Sequence, residues 1–492
     1  MKKLLLILSI FIISLSASAA DLNPFAYNLN SEYNEHAQTL TINFTLNAPA
    51  SYVKLAISDG TQDVWTKEYF ASSYQAGQVP KATYTETINT LTLPQGENLT
   101  WRVDVKGDAV AQPTFAHNKV KLDWPTSVDI DNNPENENFG TVFVVEALPT
   151  GKGNSKFISK EDGAGLYILN ADGTARPMPN RPAGKYGYNG GRVKQERQYF
   201  NGSDHSCFSP YRVRVSDDGR IFISSMNIDG EVLWEADPLV FSRPDAADWE
   251  TRAVAGWSHV MSDLNANTVM GTEKRNCSHT YCGIYHLYQG DANGKFIAGP
   301  NIGFDVRGSG ENLKLLMLAG CKDAIVGYRM EHYYCDEYDL GTATMWNTPP
   351  SRRIFKGYVV NYSGAQVQYD GDGNVWLCQH RAQTDTARTL AKFLNTGNNK
   401  ITIAYDENPK HMYRRCAAIR FNEDFTQVVI ASNANPKDGS TSGGGFTVYP
   451  FDSSTGEPVW NQGLEVNTKA YTHFSLMDFA WDYAGNLYIA AD

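Results

Sequence analysis

No cysteine precedes Cys207 in this chain of 492 residues, which excludes a disulfide-centred architecture for its N-terminal part. The seven that follow, Cys207, Cys277, Cys282, Cys321, Cys335, Cys378 and Cys416, are an odd number, so at least one lacks an intramolecular disulfide partner. Cys277 and Cys282 flank Ser-His-Thr-Tyr and could close a small loop, whereas a metal set of Cys277, His279 and Cys282 lacks a second ligand pair. Cys207 and Cys378 have His205 and His380 near them in sequence, yet read as buried small hydrophobes. Also missing are the G-x-S-x-G, H-E-x-x-H and phosphate-loop motifs; the glycines at Gly308 to Gly310 and Gly443 to Gly445 read as turns. Basic residues are outnumbered, 43 against 54 acidic. A net charge of −11 argues against nucleic acid or an anionic membrane surface as partner, because both need clustered Lys and Arg. Beyond residue 20 no run approaches the roughly 18 apolar residues of a spanning helix, so no integral membrane span is expected.

The first 20 residues, MKKLLLILSIFIISLSASAA, combine Lys2 and Lys3, an apolar run from Leu4 to Ile13 and a small-residue end with Ala17 and Ala19. This is a secretory signal peptide without a lipoprotein cysteine. Cleavage removes two lysines and no acid, so −11 becomes −13. The expected location is outside the cytoplasm, in the periplasm or at the exterior of a Gram-negative bacterium.

What the chain has in plenty is Gly, Tyr and short alternating runs, with no long helical period. Val213 to Ser225, VRVSDDGRIFISS, places apolar residues two apart on both sides of an Asp-Gly turn, which specifies an antiparallel hairpin. The unit recurs in Val367 to Gln379 and Phe479 to Ala491, more loosely in Ile419 to Ser432, and with a longer loop in Val128 to Glu146. Further short strands follow from Gly163, Cys282, Lys356 and Gly444, making four-stranded sheets that cannot bury their own faces. Stacked around an axis, such sheets are the blades of a β-propeller, here six or seven over residues 119–492. The last hairpin ends at the C-terminus without an outer pair, so the last blade is expected to be truncated, the alternative being closure by an N-terminal strand.

Residues 21–118 hold five short runs, mostly alternating, separated by Gly, Pro and Asn, the pattern of an immunoglobulin-like or fibronectin-like β-sandwich. Trp65 and Trp101 read as its core. Pro113 and Pro125 bracket the passage to the propeller. The fold class is thus all-β, sandwich followed by propeller.

Candidate ligand residues come from the least strand-like stretches. Tyr186, Tyr188, Tyr199, Phe200, His205, Tyr211 and Arg212 lie in a loop that can line a channel mouth, and Tyr333, Tyr334, His411 and Arg414 lie in two further aromatic and charged stretches. Flat rings with Arg and His suit a saccharide, although Tyr at alternating strand positions is also ordinary sheet packing. Asp129, Asp131 and Asn133, and again Asp370, Asp372 and Asn374, set oxygens at alternate positions as calcium loops do. Their sixth and twelfth positions are not Gly and Glu, and turn chemistry explains the same residues. No other cofactor is implied.

In three of the hairpins the turn reads Asp or Ser, two residues, Gly, Asn or Arg, then apolar, aromatic, Ile or Leu, and a small residue: Ser216 to Ser224, Asp370 to Cys378 and Asp482 to Ala490. This resembles the repeat of NHL, YVTN and regucalcin-like propellers. The whole arrangement resembles secreted proteins of Bacteroidota with a fibronectin-like domain before the propeller. The resemblance implies blade geometry. Regucalcin-type lactonases hold a metal with carboxylate and Asn ligands near the channel, but no residue here matches those ligands one by one. The expected function is an exported, non-catalytic protein whose propeller recognises a glycan, peptide or protein. A carbohydrate-active or lactone-type hydrolase or lyase is the competing reading, and a purely structural envelope role the third.

Overall fold

The computed structural model describes residues 22–95, 98–108, 125–146, 165–174, 176, 192–194, 209–226, 231–236, 303–321, 332–339, 341, 351–358, 366–378, 390–396, 401–405, 416–432, 445–467 and 476–491. These residues form antiparallel β-sheets and short 3-10 turns, with no α-helix among them. None of their helical segments is long and apolar enough to cross a membrane.

The N-terminal part contains two three-stranded sheets. One joins Ala26–Asn34, Thr39–Leu46 and Thr83–Asn89; the other joins Asp63–Phe70, Tyr52–Ser58 and Thr100–Lys106. Strict alternation sends Leu40, Ile42, Phe44 and Leu46 to one face, where they meet Val53, Leu55, Ile57 and Trp101 from the facing sheet. Trp65 packs against the same core.

Among the described residues six further sheets follow in chain order. Their first strands are Pro125–Ile130, Ser209–Val215, Phe304–Arg307, Gln366–Tyr369, Cys416–Phe421 and Leu476–Trp481. Each packs beside the first strands of the sheets before and after it, and Leu476–Trp481 returns to Pro125–Ile130, so the six close a propeller-like ring. The repeated hairpins are in the expected register, with Val213 opposite Ile223, Val367 opposite Leu377 and Phe479 opposite Ile489. In each of these turns the glycine takes a left-handed backbone: Gly219 at φ 78, Gly373 at 76 and Gly485 at 77. The copy without a turn glycine folds the same way, with Phe425 at φ 54. Its amide donates to Asn422 O at 3.1 Å, as Gly373 N does to Asp370 O at 3.0 Å. Phe425 packs on Phe421 and on the cluster around Trp376, which holds the ring at a backbone angle that L residues avoid.

The N-terminal sheets touch this ring where the first and sixth sheets turn. Asn23 and Asn486 bond reciprocally, Asn23 N donating to Asn486 Oδ1 at 2.5 Å and Asn486 Nδ2 to Asn23 O at 3.1 Å. Phe25 and Tyr27 then pack with Phe139, Ala171 and Ala484, and Lys81 forms an ion pair with Asp172. Gly140 makes this contact close: its φ is +76, and a Cβ there would lie 2.7 Å from Tyr27 Cβ. We expect Gly140→Ala to cost about 2–4 kcal/mol by urea unfolding, from a left-handed Ala and an overlap with a stiff neighbour. Gly60→Ala, at φ +95 with nothing within 4 Å, should cost only about 1 kcal/mol. Equal costs would show that the Tyr27 contact is unimportant.

Candidate functional site

Polar residues two apart on the first strands meet at the axis of the ring. Six are ionisable: Asp129, Arg212, Arg214, Asp305, Arg420 and Asp478, three acids and three arginines from five different sheets. Asp478, fully buried, is the hub. Arg214 Nη1 donates to its Oδ2 at 2.9 Å, Gln366 Nε2 to its Oδ1 at 3.0 Å, and Ser127 Oγ also donates to it. Arg212 Nη1 stands 3.7 Å away. Burial alone would raise the Asp478 pKa, but Arg214 and Arg212 outweigh it and hold the carboxyl down at about 2. The same pairing raises the pKa of Arg214 despite its burial.

Asp129 Oδ1 pairs with Arg420 Nη2 at 2.5 Å. Asp305 is less well compensated. Its Oδ1 lies 3.6 Å from Arg214 Nε and 3.7 Å from Arg420 Nη1, both beyond hydrogen-bond reach, and neither nitrogen has another hydrogen-bond partner. Burial therefore wins over the two cations, and Asp305 is pushed up to about 6.

The remaining oxygens tie neighbouring sheets together. Ser127 Oγ accepts from Val213 N at 3.0 Å and Asp129 Oδ2 from Val215 N at 2.9 Å. Asp305 Oδ2 accepts from Tyr369 N at 3.0 Å, Gln366 Oε1 from Ile419 N at 3.1 Å and Gln368 Oε1 from Phe421 N at 3.2 Å. In each case a side chain on one first strand satisfies a backbone N–H on the next, which that strand's own sheet leaves open. Farther from the axis, Tyr369 donates to Glu337 Oε2 at 2.9 Å, and Arg352 pairs with the same oxygen at 2.5 Å.

Several sequence candidates land elsewhere than expected. Arg212 is not on a ligand-facing loop: it belongs to the strand Ser209–Val215 and is 1% exposed, turned toward Asp478. The strand begins before the alternating run is recognisable, because Pro210 and the bulge between Pro210 and Arg212 mask its start. Asp129, Asp131 and Asn133 do not converge. Asp129 serves Arg420 and Val215, while Asp131 Oδ1 accepts from Asn133 N at 3.2 Å and Asn136 Nδ2 at 2.9 Å. Asn133 Oδ1 caps Glu135 N at 3.0 Å, and its Nδ2 donates to Asp217 O at 2.6 Å. Asp370 likewise accepts from Asp372 N, Asn374 N, Asn374 Nδ2 and the Trp376 indole, all at 2.9–3.0 Å, so it closes its own turn. Among the described residues no group of three or more His, Cys, Asp or Glu could hold a metal. Tyr333 and Tyr334 lie on the strand His332–Asp339, opposite Gly320 and Ala319, with their side chains outside the described residues. Tyr186, Tyr188, Tyr199, His205, His411 and Arg414 lie outside the described residues altogether, as does the pair Cys277 and Cys282.

The axial residues had a sequence signal. Ser127 and Asp129, Arg212 and Arg214, and Gln366 and Gln368 are polar pairs two apart on the opening strand of a hairpin. Alternation assigns them to solvent; closure of the ring turns that face inward.

The arrangement defines an all-β protein built as a propeller-like ring of antiparallel sheets. No protein-family model and no curated protein matches the chain. Among solved structures it is similar to a periplasmic gluconolactonase of Pseudomonas aeruginosa, at 9% identity and TM-score 0.35, covering 94% of this chain and 87% of that one. The polysaccharide lyase Uly1 gives 8% identity and 0.33, covering 94% and 83%. An exo-β-1,3-galactanase of Phanerochaete chrysosporium gives 8% and 0.34, covering 71% and 64%. Likenesses this distant carry no argument about activity.

Proposed function

We propose that the chain is an exported recognition protein: a signal peptide at residues 1–20, a fibronectin-like sandwich over 21–118, and a six-bladed propeller over 119–492 that binds a glycan on its loop-bearing surface. The observation that carries the non-catalytic reading is how the axial charges are used. Asp129, Asp305 and Asp478 are buried, each faces a guanidinium, and each accepts a backbone N–H, from Val215, Tyr369 and Phe479 respectively. Carboxylates engaged in this way brace the ring and are closed to a substrate, which must come within hydrogen-bond reach of its acid or base. The hydrolase or lyase reading is supported by a separate observation: Asp305, near pKa 6 between two cations, can carry a proton close to neutrality.

A glycan array probed with the mature protein, with and without EDTA, followed by product analysis of every bound glycan, separates these readings. Recognition predicts binding that survives EDTA and leaves the glycan intact. Cleaved product would replace it with the enzyme reading, with Asp305→Asn as the first variant to assay.

A further inference from the structure

Residues 451–463 are an elaboration of the repeat. The third strand of the fifth sheet, Gly445–Asp452, pairs along its first half with Leu464–Asn467, from Gly445 opposite Asn467 to Val448 opposite Leu464. It then runs on and pairs again, Phe451 opposite Pro458 and Asp452 opposite Glu457. A tight turn closed by Gly456 N to Asp452 O at 2.8 Å precedes the second pairing, and the 3-10 turn Trp460–Gln462 leads back to the sheet. This extension encloses an open pocket of about 490 Å³ lined by Asp452, Thr455, Glu457, Pro458, Trp460 and Asn461.

The pocket is held from below. Trp460 packs edge-on against Tyr449, ring centroids 5.2 Å apart, and against the apolar cluster of Trp376, Phe421 and Phe451. The chain can pass over Tyr449 only because residue 463 is glycine: a Cβ there would overlap Tyr449 Cε1 and stand 2.6 Å from Thr447 Cγ2. Beneath Glu457 the ammonium of Lys392, almost fully buried, donates to Gly456 O, stands 3.7 Å from Glu457 Oε1 and lies over the Trp376 ring. Glu457 is thus anchored on its Oε1 side, and partial burial raises its pKa against the opposing effect of Lys392.

We propose that this pocket is a saccharide subsite, with a sugar ring laid on the Trp460 indole, its hydroxyls accepting from the Asn461 amide and donating to Glu457 and to Asp452 Oδ2, since Asp452 Oδ1 already accepts from Ser454 N at 2.9 Å and Ser454 Oγ at 2.6 Å. An indole offers a flat apolar face, and two carboxylates accept from vicinal hydroxyls while repelling phosphate or carboxylate ligands. The volume lies within the range of about 300–1,000 Å³ usual for small-ligand clefts. A cage for a quaternary ammonium ion would need several aromatic walls, and among the described residues Trp460 is the one aromatic side chain in the lining. The assignment rests on the glycan-recognition reading and gives it a location.

The test titrates the mature protein calorimetrically with cellotriose, laminaritriose, mannotriose, xylotriose and choline chloride, together with any glycan bound on the array. For the sugar that binds, Trp460→Ala should weaken affinity at least about tenfold while also lowering the unfolding midpoint, Trp460→Phe should weaken it by about threefold or less, and Glu457→Gln by about three- to tenfold. Should Trp460→Ala fail to fold, Glu457→Gln carries the test alone. A sugar bound equally well by wild type, Trp460→Ala and Glu457→Gln overturns the pocket while leaving glycan recognition standing. No sugar bound by the wild type, on the array or in titration, overturns the recognition reading and the pocket with it. A response to choline without one to any sugar overturns the saccharide assignment.

Discussion

Replacing Asp478 with alanine is expected to lower the free energy of unfolding by about 3–5 kcal/mol, the usual cost of leaving buried charge without its partner. The variant removes the carboxylate that faces Arg212 and Arg214, at 1% and 2% exposure, and the acceptor of Ser127 Oγ and Gln366 Nε2. Those groups come from three different sheets besides the sixth, so the loss falls on the ring as a whole. Urea unfolding followed by tryptophan fluorescence measures it. A triple variant with Asp478→Leu, Arg212→Met and Arg214→Met should recover much of the loss, because a well-packed apolar replacement of a buried ion cluster is close to neutral. If Asp478→Ala costs under about 1 kcal/mol, the axis does not hold the ring together.

The second large effect is on the pH profile. Burial lifts Asp305 and Asp131 to about 6 and Asp482 to about 7, from a usual 3.8. A carboxyl raised by the fold binds its proton more tightly there than in the unfolded chain. Its contribution is therefore fully present below about pH 3.8 and is lost as pH rises through 6 to 7. Asp478 has the opposite sign. Lowered to about 2, it contributes above pH 3.8, and that contribution disappears as pH falls toward 2. Stability should peak at about pH 4 and decline toward pH 8, by as much as roughly 3 to 4 kcal/mol for each raised carboxyl. Thermal unfolding in buffers from about pH 3 to 8 reads the profile directly. Asp482→Asn, which keeps an oxygen toward the amides of Ala484 and Asn486, should flatten the limb above pH 6. A midpoint that climbs from pH 5 to 8 would refute this account.

The hairpins were legible because two local signals agreed: a period of two in apolar residues, and a turn glycine whose left-handed backbone other residues avoid. Even the copy lacking that glycine was found by its alternation alone, and Phe425 takes the glycine's place by means of packing that no local pattern announces. The axis was not legible, for a physical reason. A polar residue such as Arg214 or Gln366 on an alternating strand reads as solvent-facing, and only the return of the sixth sheet to the first, across more than 300 residues, makes that face interior. The Asp-rich turns misled in the other direction. Asp131 and Asp370 have the spacing of calcium ligands, but their oxygens accept from their own turns. The pocket at Trp460 was missed because Gly456 to Trp460 reads as the tail of an outer strand, and the second pairing of Gly445–Asp452 depends on register rather than composition.

The bond from Ser127 to Asp478 joins residues 351 apart, and the partner of Arg214 comes 264 residues after it. Synthesis runs from the other end, so the five earlier first strands exist while the counter-ion of Arg212 and Arg214 does not. During that interval two guanidiniums stand where the finished molecule has a neutralised core, and the nascent chain has no means of sealing itself. Closure is postponed until the final strand arrives, and contacts at such separation form slowly. The strand Leu476–Trp481 thus acts as a latch, shutting the ring only after the five sheets that precede it have been made.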